Sequence, residues 1–320
     1  MVLRRGILLG ALFGLAALPA LAAQPLRLGL DWLAEAEYGG YYAAQAAGLY
    51  QQAGLDVQII EGGPQVNQAQ FLLAGRLDLT VTSNSFLALN FVQQNLPFVA
   101  IAAFFQKDPS IILAHPGTGH DHFADLRGQK IMIGADTRSG WWNFVRARFG
   151  YTDDQIRPYT FNLAPFLADK NAIQQGYLGS EPYLIKQATG IDPVVLLLAD
   201  AGFSGYANLI STSRAMTQSQ PEALKKFIAA SAQGWRIYLH GDPAPADALI
   251  KAANPEMTGD LLAYGRRALR DHAIVEGPDG IGAMTEKRWQ DFFDEMVAAG
   301  LYPKNLAWQK AFTLSFLAAP

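Results

Sequence analysis

The chain has 320 residues, half of them hydrophobic and 17% charged, with 25 Lys+Arg against 28 Asp+Glu and no cysteine. That length suggests two domains at ~150 residues each and is enough to bury roughly 75% of the unfolded surface, which excludes a disordered chain. Zero cysteine excludes a disulfide scaffold, a Cys-ligated zinc or iron–sulfur site and a thiol nucleophile; the slight negative charge argues against broad nucleic-acid binding, which needs Lys/Arg to neutralise phosphates.

Residues 1–23 place Arg4 and Arg5 before an apolar run that Pro19 breaks, and Ala20-Leu21-Ala22 offers small residues at a cleavage spacing. This is the pattern of a secretory signal peptide; the run is shorter than the ~20 residues of a membrane span. Its removal leaves a net charge of −5 with His neutral. The expectation is export to the periplasm as a soluble protein.

Residues 26–30 predict a first strand ending at Asp31-Trp32, and the Ala/Gln-rich residues 41–53 predict one helix. A strand at 56–60, a helix at 66–74, a strand at 77–82, a helix at 86–94 and a strand at 98–105 follow. Strands alternating with helices of this length predict a parallel sheet covered by helices. The pattern restarts with strands at 110–114 and 129–134, a helix at 141–149, an extended piece at 157–161, a helix over 163–174 and a helix from 182. Strands at 194–198 and 206–212 come next, and the remainder is helical from 220. The expected fold class is α/β, a two-lobe clamshell in which each lobe is a mixed sheet covered by helices. The expected division is signal peptide 1–23, first lobe 24–108, second lobe 109–204, and a return strand with a helical tail over 205–320. Crossings at 106–110 and 200–205 would form a hinge.

Ligands of open α/β sheets bind beyond the carboxyl ends of the strands, which singles out candidates before any family is considered. Trp32 could stack on an aromatic ring or pack in the core. Tyr38, Tyr41 and Tyr42 open a helix, and one of them could face the cleft. Ser83 and Asn84 end a strand where a helix begins, with free N–H donors. Ser139, Gly140 and Trp141 lie at another strand–helix junction. Glu181 could accept from ring N–H groups or remain a surface carboxylate at a helix start, and Tyr183 follows it. Glu35 and Glu37 read as solvated rim residues. His115, His120 and His122 share a loop that reads as polar, and no metal site or cofactor is expected. Nothing matches a nucleophile elbow, a Walker A loop or a dinucleotide fingerprint.

The chain resembles the periplasmic solute-binding proteins of ABC importers, in the branch that includes thiamine-pyrimidine-precursor, alkanesulfonate, taurine and nitrate binders. The residues that carry this are Leu30-Asp31-Trp32, Glu37-Tyr38-Gly39-Gly40-Tyr41-Tyr42, Gly48-Leu49-Tyr50, Leu73-Ala74-Gly75-Arg76-Leu77-Asp78-Leu79 and Gly176-Tyr177 through Ser180-Glu181-Pro182. The resemblance implies a type II periplasmic-binding-protein clamshell and a monomeric, non-enzymatic receptor. Its partners would be a small molecule, a permease and its ATPase, with no nucleic acid. It points to a pyrimidine-like or other nitrogen-heterocyclic ligand held by Trp32 and Glu181, with Tyr38 and Tyr183 nearby. The alternative is a small anion, for which Arg138 beside Ser139-Gly140 would supply the donors. Thiamine-pyrimidine-forming enzymes of the same fold carry a Cys-rich motif that this chain lacks.

Overall fold

A computed structural model describes residues 23–64, 66–135 and 137–317, the Ser139 side chain apart; the expected signal peptide, but for its last residue, lies outside the described residues. The strands in chain order are β1 (Gln24–Gly29), β2 (Leu55–Ile60), β3 (Leu79–Asn84), β4 (Phe98–Phe105), β5 (Ser110–Ala114), β6 (Ile131–Ile133), β7 (Ile156–Pro158), β8 (Ile173–Tyr177), β9 (Val194–Leu197) and β10 (Ala207–Ser213). They form two five-stranded sheets, ordered β2-β1-β3-β10-β4 and β7-β6-β8-β5-β9. In the first, β1 runs parallel to β2 and β3, and β10 runs antiparallel to both β3 and β4. In the second, β6 runs parallel to β7 and β8, and β5 runs antiparallel to β8 and β9. This is the α/β clamshell of two mixed sheets that the order of elements predicts.

Strand composition explains which strands are fully buried, the edge strand β4 included. Every residue of β4 and β5 is buried, as continuous apolar runs in sheets covered on both faces should be. On β1, Leu26 and Leu28 face the core, while the Arg27 guanidinium grips both carboxylate oxygens of Asp78 at 2.9 Å. That bidentate pair ties β1 to the segment entering β3.

Two expectations are corrected. The helix over 41–53 is two helices, Gly39–Ala46 and Leu49–Gln52, parted at Gly48 with φ +68°, a backbone state that glycine adopts without a Cβ clash. The helix over 163–174 stops early, as Ala164–Ala168, and Ile173–Tyr177 is the middle strand of the second sheet. A turn at Asp169, whose carboxylate accepts from the Asn171 N–H at 2.9 Å, redirects the chain. The strand hides from pattern reading because Gln174 and Gln175 are polar yet buried; Gln175 Oε1 accepts from the Gly134 N–H.

The tail adds the helices Pro221–His240, Ala244–Ala253, Gly259–Asp271 and Glu286–Ala298. The Pro221–His240 helix crosses Gly39–Ala46 at backbone contact, since a Cβ on Gly234 would lie 2.1 Å from the Gly40 carbonyl oxygen. The Glu286–Ala298 helix buries Trp289, Phe292, Phe293 and Met296 in a cluster with Phe86, Phe203 and Tyr302. Among the described residues no helix is long and apolar enough to cross a membrane.

Candidate functional site

The segments leaving β1, β3, β7 and β8 meet between the two sheets. After β1, Asp31 is the organising group of the first lobe. Its Oδ1 accepts from the Tyr38 hydroxyl at 2.8 Å, and its Oδ2 accepts from the Ser83 hydroxyl at the end of β3. Trp32, half-buried, points across the gap to Phe161 of the second lobe, with ring centroids 4.6 Å apart and planes tilted by 51°. Phe161 has φ +59°, a strained state for a bulky residue, and Tyr159 packs against it with centroids 5.2 Å apart and planes tilted by 53°.

From the second lobe, the turn after β8 brings Glu181 to the start of the Glu181–Thr189 helix. Its Oε2 accepts from the Tyr177 N–H at 2.8 Å and from the Ser180 hydroxyl at 2.6 Å, and Tyr159 adds a further hydrogen bond. Burial raises the Glu181 carboxyl above its ordinary range, and these hydrogen bonds pull it back. Burial, with the Asp31 and Glu35 carboxylates nearby, raises the Tyr38 and Tyr177 hydroxyls well above their ordinary range.

Glu37 overturns its expected place on a solvated rim. The single 3-10 turn Ala36–Tyr38 directs it inward, where it is 3% exposed and lies beneath Gly179 of the second lobe. A Cβ on Gly179 would sit 1.9 Å from Glu37 Oε1, so glycine is what allows the turn to approach. Glu37 Oε1 has no hydrogen-bond partner among the described residues. Burial, with the Glu181 charge nearby, pushes the Glu37 carboxyl up to about 7. Glu35 is pushed well up too, by burial and by the charges of Glu37, Glu181 and Asp31. A narrow crevice of about 10 Å³ is lined by Glu35, Glu37, Gly179, Ser180, Met257 and Leu261.

The structure thus gathers Trp32, Tyr38, Ser83 and Glu181 around this gap. Others of the expected residues go elsewhere. Asn84 caps the Ser85–Gln93 helix by accepting from the Phe86 N–H at 3.2 Å. Tyr183 packs on Tyr264 of the tail, with centroids 5.4 Å apart. Trp141 is buried in the second apolar cluster. Gly140 donates its N–H to the Thr137 carbonyl, and the Ser139 side chain lies outside the described part. Arg138 is exposed and lines an open hollow with Trp142, Arg146 and Asp153. Tyr41 is buried against Phe104, Phe227 and Trp235. In the histidine loop, His115 stacks on Phe166 at 4.1 Å and His120 meets the Thr118 hydroxyl.

Asp31, Tyr159, Phe161 and Tyr177 complete the site; Asp31 and Tyr177 lie in segments that the sequence already marks, the end of the first strand and the run from Gly176 to Pro182. Asp31 had one signal, its place directly after β1. Tyr159 and Phe161 had none, because the short extended piece that holds them carries no motif.

The family model described as NMT1/THI5 like matches residues 35–246. The riboflavin-binding protein RibY of Chloroflexus aurantiacus is 26% identical over 318 residues, covering 94% of this chain and 89% of that protein. Among solved structures, the alkanesulfonate-binding protein SsuA from Xanthomonas axonopodis pv. citri, bound to MOPS, superimposes with TM-score 0.66 at 15% identity, covering 92% of this chain and 100% of that one. The desulfurization enzyme DSZB superimposes with TM-score 0.59 at 13% identity over 92% of this chain and 97% of that one. These structural likenesses concern the fold, which evidently hosts both binders and an enzyme.

Proposed function

Starting from the fact that the chain belongs to the NMT1/THI5-like family, we propose that it is the periplasmic solute-binding component of an ABC importer. It takes a flat, nitrogen-containing aromatic ring between its lobes and hands it unaltered to a permease and its ATPase. The observation that carries this is the make-up of the gap: aromatic faces from both lobes, Trp32 and Phe161, with Asp31, Glu35, Glu37 and Glu181 around them. The charges that Glu35 and Glu37 feel are those of other carboxylates. Such a surface repels a sulfonate or nitrate and welcomes ring N–H and amino donors. RibY, by its name a riboflavin binder, supports the same class of ligand.

The Trp32 and Phe161 rings lie directly against each other, with centroids 4.6 Å apart and planes tilted by 51°. A ring inserted between them needs about 7 Å, two van der Waals gaps of ~3.5 Å. Ligand entry therefore requires the lobes to part, and closure follows from contacts made to both. Binding alone accounts for these groups; no nucleophile–base pair is needed.

The test is a thermal-shift and fluorescence titration with riboflavin, a 4-aminopyrimidine and taurine, beside native mass spectrometry of protein purified from periplasm. Stabilisation by a heterocycle and retention of its mass are expected. Stabilisation by taurine alone would refute the heterocycle reading, and chemical conversion of a bound compound would refute the receptor reading.

A further inference from the structure

Two segments join the lobes: 106–109 between β4 and β5, and 198–206 between β9 and β10. Arg288, on the Glu286–Ala298 helix of the tail, reaches both. Its Nη2 donates to the Gln106 carbonyl of the first crossing and, at 3.1 Å, to the Gly205 carbonyl of the second. Its Nε donates to the Ser204 carbonyl at 2.9 Å. The guanidinium also lies 4.0 Å above the Tyr206 ring, a cation–π arrangement. The ring is itself fixed, since its hydroxyl accepts from the Thr285 N–H at 2.9 Å.

We infer that Arg288 is the positioning residue of the hinge, a single planar cation that binds the two crossings together and fixes where the lobes pivot. The three carbonyls lie on the first-lobe side of each crossing, next to β4 and β10. Gln106 is held there further, by hydrogen bonds from its side chain to Ala103 and Ala283 and from its N–H to the Ile274 carbonyl. Lys107 is tied down as well, its N–H donating to the Ile274 carbonyl and its Nζ to the His272 carbonyl, so bending is confined to residues 108–109 and 198–203. Arginine suits this task because its planar fork offers several donors in fixed directions. Lysine presents a point charge on a flexible stem and cannot hold three carbonyls and a ring face at once. Partial burial of the guanidinium, which lowers its pKa, makes those hydrogen bonds harder to replace by water.

This inference rests on the clamshell reading given above, and it is tested without ligand so that the two can fail separately. The chain has no cysteine, so Leu73→Cys and Ile191→Cys, both at exposed positions on opposite lobes, accept two spin labels uniquely. Pulsed electron spin resonance then reads the distribution of interlobe distances for the full chain. In Arg288→Ala the distribution is expected to broaden and shift to longer distances, and in Arg288→Lys to do so to a smaller degree. Should Arg288→Ala not fold, Arg288→Lys alone decides. Distributions that superimpose on that of the parent, even with a lowered melting temperature, would overturn the hinge role and leave Arg288 a structural residue.

Discussion

Asp31 shows how one side chain can set a site. It fixes the Tyr38 and Ser83 hydroxyls, and the chain then delivers Trp32 to the gap. Replacing Trp32 with Ala removes the first-lobe stacking face. Affinity for a heterocyclic ligand is expected to fall at least about tenfold, the scale of one aromatic contact, with the circular dichroism spectrum unchanged. Undiminished affinity in a titration would show that Trp32 does not hold the ring.

Glu37 makes a prediction of a different kind. Its carboxyl is raised to about 7 from an ordinary 4.5, so between those values the folded protein keeps a proton that the unfolded chain has released. The contribution of this group to stability is therefore highest below pH 4.5, falls as pH rises toward 7, and is level above that. Asp108, buried at the first crossing and raised to about 6 from 3.8, acts in the same sense over its own range. Melting temperatures measured from pH 4.5 to 7 should decline less steeply in Glu37→Gln than in the parent. Parallel curves would mean that Glu37 is already ionised in the folded state.

Among elements, glycines decide which contacts are possible. The Gly39–Ala46 and Pro221–His240 helices touch through Gly40 and Gly234. Gly234→Ala forces its methyl onto a backbone oxygen and is expected to cost about 1–3 kcal/mol, typical of overpacking, read by urea denaturation. Gly259, at the start of the Gly259–Asp271 helix, has open space around it. There, Ala should be neutral or stabilising by up to ~1 kcal/mol through the unfolded chain's entropy. Equal effects at the two positions would show that the close approach is not what matters at Gly234. Gly179→Ala tests closure instead: its methyl would meet Glu37, and the expected outcome is weaker ligand binding with little change in the denaturation midpoint.

Elements that bury an unbroken apolar face were legible in the sequence. The expected strands at 98–105 and 110–114 coincide with β4 and β5, and the return strand falls within a residue of β10. β8 was illegible because Gln174 and Gln175 are polar and find shelter, and Gln175 its partner in the Gly134 N–H, only after the second sheet has assembled. The candidate site divides in the same way. Trp32 and Ser83 follow from the rule of strand ends, and Tyr38 and Glu181 from the runs that carry the family resemblance. Glu37 depends on a one-turn 3-10 helix and a glycine 142 residues away, a conjunction that no local pattern carries.

For the whole molecule, the position of β10 between β3 and β4 has a further consequence. During synthesis the later sheet has all its strands by residue 197, while the earlier one waits for residues 207–213 with two unsatisfied strand borders. Assembly is therefore out of chain order: what is made first is finished last. A nascent chain held short of residue 207 presents sticky, hydrogen-bond-hungry borders, the kind of surface that chaperones cover.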